Sequence, residues 1–510
     1  MSIRTRAGAL LAGGALVASG LTLAGPTPGA HAADVPSPEA KAAATWLKAQ
    51  LTEAGVFGAD ASSVSATLDF GTALARTGVD ASLLTQVTTG VDGALADFIG
   101  TEGDTSKSGR VAKAAAFYAE AANPKDAGTD HVDLIARLEG VVEPSGRLTP
   151  SWGDADYFGQ SSAVLALEIA GSGETQAATD FLVGGQCANG GWGYFDTSTT
   201  PATCVPDVDT TSLAVAALAS QEAAASQTAV DKGTAWLVSQ QAADGSLGLS
   251  DFLPYNSNST GLAAWALGEA GETAAAARAA AWVASRQLTK LAGCTSVLDP
   301  EAGAIAYDAT AIADARADRE IAAADRPTWI LASAQALAGL AYLSNPVAGR
   351  VYGPTGYVRA GTTVTVRSTG LRAGQPACLA GFGNARAIAG PGYAKVTLPA
   401  ATGNRVLALR WTGGGVTTTI KTLGAKTFRP KVRSTRVKRG GLQVVTVTGL
   451  APAERFTVRY AGRAIRTATA TSTGVARVSF RVGRVKGLKS VVVLGQFSDR
   501  RGTTTFRVVR

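Results

Sequence analysis

Histidine is almost absent from this chain: of two in 510 residues, only His131 lies beyond the first thirty-two. That scarcity excludes a His-rich metal centre and leaves any Ser-His-Asp hydrolytic arrangement dependent on a single imidazole. No Gly-Lys dipeptide occurs, which excludes a Gly-rich phosphate loop closed by lysine. Long apolar runs are missing beyond Ala24, because Gly, Asp or Arg interrupts each one before the roughly 20 residues that a membrane-spanning helix needs. No transmembrane segment is therefore expected. Acids are scarce in the last third, where residues 351–510 hold 28 Lys and Arg but only Glu454 and Asp499. Residues 1–350 carry 19 basic and 37 acidic side chains, so the two parts have formal charges of −18 and +26. Asymmetry of this size reports a partner or an anchor more often than a fold.

What is present begins with a leader. Arg4 and Arg6 precede an apolar run to Ala24, and Ala30-His31-Ala32 supplies a small-residue cleavage pattern. Residues 1–32 read as the secretory signal peptide of an exported bacterial protein, which places the mature chain outside the cell or on its envelope. Four cysteines are an even number for an oxidising compartment. Cys187 and Cys204 flank one loop and form the natural first pair. Cys294 and Cys378 are then left, with their pairing open.

From about 33 to 346 the sequence is rich in Ala and Leu at helical spacing, punctuated by Gly, Pro or Asp every twenty to thirty residues. Six stretches read as inner helices ending at a stop: 68–78, 111–123, 161–171, 211–219, 260–271 and 328–343. The first five start roughly 43 to 50 residues apart, a period that marks a repeated supersecondary unit whose apolar face is buried by its neighbours. The expected fold is multidomain: an all-α (α/α) toroid of about six helical hairpins over 33–346, then two all-β immunoglobulin-like sandwiches. Alternating Val, Thr and Arg after Pro346 place these basic sandwiches at 349–428 and 429–510.

Gln186-x-x-x-Gly190-x-Trp192, with weaker copies at Gln241 and Gln50, resembles the Gln-Trp repeat of squalene and hopene cyclases. The region 40–343 is similar to the wider prenyltransferase and squalene-oxidase repeat family. The resemblance implies a structural role for Gln186, Gly190 and Trp192, tying helix ends over a turn. Asp207-Val-Asp209-Thr210-Thr211-Ser212 is similar to the Asp-x-Asp-Asp-Thr-Ala motif of class II terpene cyclases. There the middle Asp, here Asp209, protonates an alkene, but Thr210 stands where the third Asp belongs. The alternative reading is helix capping by Asp209 or Thr210, matched by Asp156, Asn256 and Asp325 at the starts of related repeats. A Ca²⁺ site built from Asp196, Asp207 and Asp209 is a third reading; no other cofactor or metal is expected.

Class II cyclases line their cavities with aromatic rings that stabilise carbocations, and aromatics are 6% of this chain. The rings expected to face a central cavity and bind a ligand there, together with Asp209, are Trp152, Tyr157, Phe158, Trp265 and Trp329. Phe117, Tyr118 and Tyr342 are further candidates. A protein-prenyltransferase zinc site would need a histidine beside Asp and Cys, and the thioester Cys-Gly-Glu-Gln of complement-type toroids is missing. The sequence thus predicts a secreted or envelope-associated toroid that binds a small molecule, peptide or glycan without catalysis. Its basic tail would attach to anionic cell-envelope polymers, and nucleic acid is not an expected partner. The alternative is a reduced class II terpene cyclase with Asp209, supported by Asp207, as proton donor.

Overall fold

A computed structural model describes residues 35–149, 155–196, 204–250, 253–344 and 348–510. The expected leader, 1–32, and Trp152 lie outside the described residues. The helical part opens with α1 (Pro38–Lys48), α2 (Ala61–Thr77), α3 (Ala81–Ile99) and α4 (Ser108–Ala121). It continues with α5 (Leu134–Glu139), α6 (Tyr157–Ala170), α7 (Thr175–Gly184), α8 (Val208–Leu218) and α9 (Ala224–Gln240). It closes with α10 (Ser257–Glu269), α11 (Thr273–Ser285), α12 (Ala309–Asp318) and α13 (Arg326–Leu337). Asp or Asn caps many of these starts: Asp60, Asp80, Asp133, Asp156, Asp207, Asn256 and Asp308 each accept a backbone N–H of the first turn. Such caps satisfy amides that the helix leaves free.

Six helices form a closed inner ring, α2 against α4, then α6, α8, α10 and α13, which packs back on α2. All six stretches expected to be inner helices lie in this ring. The partner helices α1, α3, α5, α7, α9 and α11 lie outside, and α12 belongs to the longer connection between α11 and α13. Glutamines, partly buried at 186 and 241 and fully buried at 287, fasten successive outer helices. Gln186 Nε2 donates to Gly190 O and to Ala229 O of α9, each at 2.8 Å. Gln241 Nε2 repeats this with Gly245 O (3.2 Å) and Ala275 O of α11 (3.0 Å). Gln287 Nε2 reaches Gly303 O (3.1 Å) and Glu39 O of α1 (2.9 Å), so the outer ring closes on its own beginning. Gln50 does not take part: its amide donates back to Trp46 O of α1, which ends two residues earlier, and accepts from Arg326.

The β region comprises two sandwiches. Two short ribbons precede it, β1 (Ala155–Asp156) with β2 (Phe195–Asp196) and β3 (Gly248–Ser250) with β4 (Leu253–Tyr255). The first sandwich contains β5 (Arg350–Tyr352), β6 (Tyr357–Arg359), β7 (Thr363–Thr369), β8 (Pro376–Gly381), β9 (Asn384–Ala389), β10 (Gly392–Thr397), β11 (Gly403–Trp411) and β12 (Gly414–Leu423). Its sheets run β10-β7-β5 and β6-β12-β11-β8-β9, with Val366, Leu379, Leu409 and Ile420 between them. The second contains β13 (Lys426–Thr427), β14 (Lys431–Val432), β15 (Arg436–Lys438), β16 (Leu442–Val447), β17 (Arg455–Tyr460), β18 (Arg463–Thr469), β19 (Ala476–Arg481), β20 (Gly487–Leu494) and β21 (Arg500–Val509). Its sheets are β13-β21-β20-β17-β18, with β15 also on β21, and β14-β16-β19, closed over Val445, Val458, Val491 and Phe506.

Two disulfides are present, Cys187–Cys204 and Cys294–Cys378, with Cα atoms 5.5 and 5.8 Å apart. The second pairing, open from the sequence, ties the helical ring to β8. Arg372 strengthens the same junction by an ion pair with Glu39 and a 3.1 Å bond to Ser344 O. The sandwiches are linked by Arg359 with Asp499 at 3.4 Å and by Tyr357 Oη donating to Pro452 O at 2.9 Å. No helix among the described residues is long and apolar enough to cross a membrane.

Candidate functional site

The starts of two neighbouring inner helices, α6 and α8, bring the largely buried carboxyl groups of Asp156, Asp207 and Asp209 to one mouth of the ring. Asp156 caps α6, accepting from Phe158 N and Gly159 N at 3.0 Å. Asp207 caps α8 by accepting from Thr210 N at 2.8 Å, and Asn256 caps α10 by accepting from Ser259 N at 2.9 Å. The cap of α8 is therefore Asp207, not Asp209 or Thr210, because the helix begins at Val208 and places both inside its first turn. Asp325 stands before α13 without capping it through its side chain.

Relieved of capping, Asp209 is the distinctive group. Its carboxyl takes a hydrogen bond from Ser259, while Oδ1 is buried without a partner. Burial, with a smaller contribution from the charge of Asp207, raises its pKa to about 6 against the Ser259 bond. Burial likewise raises Asp207 and Asp156. Tyr194 is raised by burial and by the charges of Asp156 and Asp207, and Tyr307 by burial and by Asp209 and Asp308. Among the described residues no three His, Cys, Asp or Glu side chains come together to hold a metal ion; the Asp196 side chain lies outside them.

The Gln-Gly-Trp element sits directly behind this mouth. Trp192 is buried, its indole N–H donates to Leu182 O (2.8 Å), and its backbone N–H donates to Thr211 Oγ1 (2.9 Å). Asp207 N in turn donates to Trp192 O at 3.0 Å. Gly190 has φ 99°, and a Cβ there would lie 2.7 Å from Lys232 O, so the turn requires glycine. The disulfide Cys187–Cys204 spans the connection from this turn to Asp207.

Inside the ring lies a cavity of about 70 Å³ lined by residues of all six inner helices. Leu213, one turn beyond Asp209 on α8, is among them. Lys113 and Asp69 form an ion pair at 2.7 Å, Gln335 Nε2 donates to Asp69 at 3.1 Å, and Asn258 Nδ2 donates to Gln335 at 2.6 Å. Toward the other mouth Arg76 pairs with Glu120 and lies 3.6 Å over the Trp265 ring. The space is small and crossed by charge.

No family model and no curated protein matches the chain. Solved structures similar to the helical part are type II terpene cyclases. The apo enzyme MstE from Scytonema is 16% identical over 59% of this chain and 96% of that one, with a TM-score of 0.40. The ent-copalyl diphosphate synthase from Streptomyces platensis is 17% identical over 55% of this chain and 50% of that one, with a TM-score of 0.35. The β region is similar to fibronectin(III)-like modules of CbhA from Clostridium thermocellum, at 12% identity over 31% of this chain and 93% of that one, with a TM-score of 0.19.

Of the rings expected in the lumen, Phe158 and Trp265 line it. Tyr157 instead turns outward, 5.9 Å from Phe181 of α7 and over Gly185, because its position at the first turn of α6 faces the outer ring. Trp329 is buried at the start of α13 beside a separate acidic hollow that contains Tyr307 and Asp308. Tyr118 bonds Asp92 of α3, Phe117 packs on Gly71 of α2, and Tyr342 bonds Glu269. The lumen's polar groups Asp69, Arg76, Lys113 and Gln335, with Asn258 behind Gln335, were not anticipated. A signal existed, since Asp69 and Arg76 are seven apart on α2, and so share the face that carries Ala73.

Proposed function

We propose that this chain is an exported toroid-fold binding or scaffold protein without cyclisation chemistry, attached by its basic β region to anionic polymers of the cell envelope. The lumen carries the reading. Ordinary ligand pockets hold roughly 300–1,000 Å³, whereas this one offers about 70 Å³. Ion pairs cross it and two aromatic rings line it, the reverse of a carbocation cage. A partner of the toroid therefore binds at its mouths or outer surface.

The attachment is supported by the fate of the two acids in 351–510. Glu454 pairs with Arg500, Asp499 with Arg359, and Arg372 reaches Glu39 of α1; the other cations of the region form no ion pair among the described residues. Exposed Arg436 and Arg507 even stand opposite one another across β15 and β21. Uncompensated charge of this density attracts polyanions through a salt-sensitive interaction. The leader pattern and two disulfides support export.

One observation favours a reduced class II cyclase as the second reading: Asp209 is buried, raised to about 6 and free at one oxygen. The two readings separate when wild type and Asp209→Asn are incubated with linear isoprenoids. Product from the wild type alone overturns the scaffold reading; no product from either supports it. Attachment is tested with the intact protein on purified envelope, where release at high salt is expected and retention in molar salt is the contrary result.

A further inference from the structure

The junction between the helical ring and the first sandwich holds a second, much larger cleft of about 1150 Å³. One wall is the connection after α11 together with the end of α12, and the other is the margin of the β6-β12-β11-β8-β9 sheet. Ala387, Ile388 and Ala389 all border it. Gly374, Pro376 and Ala377, at the start of β8, border it too, so the cleft meets the open end of the β8-β9 hairpin together with the last residues of β9.

β9 is the terminal strand of its sheet and pairs on one side, with β8. Gly390 N donates to Gln375 O at 2.8 Å, and the antiparallel register continues through Ala377↔Ile388 and Leu379↔Arg386. By the alternation of an antiparallel ladder, Ala387 and Ala389 turn their N–H and C=O groups away from β8, toward the strand's free edge. Proline is missing from this edge: β9 reads Asn-Ala-Arg-Ala-Ile-Ala, with Arg386 its one charge, and both Ala387 and Ala389 are exposed.

The opposite wall brings three guanidinium groups to the same space, Arg286, Arg316 and Arg319. None of them forms an ion pair among the described residues. Arg286 lies 4.3 Å over the Trp282 ring and donates to Ser285 Oγ at 3.2 Å, while its Nε is buried without a partner. Asp244 and Asp308 are its nearest compensating charges, and Arg316 adds a like charge. The cleft is thus an edge wanting backbone partners, faced by cations wanting carboxylates.

We propose that this cleft docks an extended acidic peptide segment of a partner protein, which adds as a strand to the free edge of β9 and sets carboxylates against Arg286, Arg316 and Arg319. Strand addition supplies affinity through main-chain hydrogen bonds, and alternate side chains supply selectivity. Carboxylates at every second position project from one face of the added strand. This inference stands apart from the envelope reading, since it uses residues of the junction and not the cations of the second sandwich.

The test uses the intact, disulfide-bonded protein with two labelled peptides, one alternating Glu and Val and one alternating Gln and Val. Binding is followed by anisotropy, and amide exchange is followed at Ala387 and Ala389. The acidic peptide is expected to bind at least about tenfold more tightly than the neutral one, and to slow exchange at both amides. Arg316→Glu with Arg319→Glu, on exposed positions, should weaken it by about tenfold or more. Ala387→Pro, which removes an edge donor, should abolish the protection. Binding that survives the double charge reversal with unchanged exchange at β9 would place the peptide on the second sandwich and overturn the proposal. So would failure of the acidic peptide to bind, or a polyphosphate that displaces it while β9 exchange never changes.

Discussion

Glu454 and Arg500 face one another inside the second sandwich, joined at two points, Nε to Oε1 at 2.6 Å and Nη2 to Oε2 at 2.7 Å, both side chains sealed from water. Ala451 N donates to the same carboxylate at 2.7 Å, and Arg500 Nη1 donates to Gly424 O at 2.7 Å. The pair is therefore satisfied on all sides, and removing one partner strands the other.

Replacing Arg500 by Met should destabilise the second sandwich by about 3–5 kcal/mol, the usual penalty of an uncompensated buried charge. Burial alone would raise Glu454, but its bonds from Arg500 and Ala451 hold it below its ordinary value. A lowered folded pKa contributes stability above the unfolded value and loses it as pH falls through the folded one. Urea denaturation followed by exchange at β20 and β21 should show this loss only below about pH 4.5, and the Arg500→Met variant should no longer show it.

Asp209 titrates with the opposite sign. Its folded pKa of about 6 lies above the ordinary 3.8, so its favourable contribution is complete below 3.8 and is lost as pH rises through 6. The group's full contribution is about 3 kcal/mol between pH 3 and pH 8, and since more than half is already lost at pH 5, the ring should be less stable at pH 8 than at pH 5 by about 1–1.5 kcal/mol on its account. Asp209→Asn should flatten that part of the thermal-melting profile and raise the melting temperature at pH 8. An unchanged profile would show that the carboxyl is not held neutral.

Gln287→Ala removes the amide that joins α11 to α1. Two carbonyls, Glu39 O and Gly303 O, lose their donor in a dry setting, at a cost of about 2–4 kcal/mol. Amide exchange in α1 should rise more than exchange in α7 or α9, because only the closure of the outer ring is weakened.

The Cys294–Cys378 bond closes a loop of 84 residues, worth about 4–5 kcal/mol in the chain-entropy description. Serine at both positions should split a single calorimetric transition into separate melting of ring and sandwiches. Thiol titration of the denatured wild type should find no free cysteine.

Much of this architecture was legible because its signals are local. Helical periodicity with Gly stops marks each inner helix, and Val-Thr alternation marks the strands. Gln186 and Gln241 were readable because their glycines follow at a fixed four-residue offset; Gln287 was hidden because its partner Gly303 lies sixteen residues on, beyond an insertion. The polar mouth was read for its capping chemistry, yet the division of labour between Asp207 and Asp209 depends on one residue of helix phase. Ring orientation proved least legible, since Tyr157 and Phe158 are adjacent and only the helix turn sends one outward and the other into the lumen.

The pairing of Glu454 with Arg500 and of Asp499 with Arg359 leaves residues 351–510 with no spare carboxylate, and no histidine lies there. The groups that remain are guanidinium, ammonium and phenol, which do not titrate between roughly pH 5 and 8. The region therefore behaves as a permanent cation. Acidification of the surroundings leaves its charge as it was, so any attraction it exerts on a polyanion answers to ionic strength and not to the protonation of its own groups.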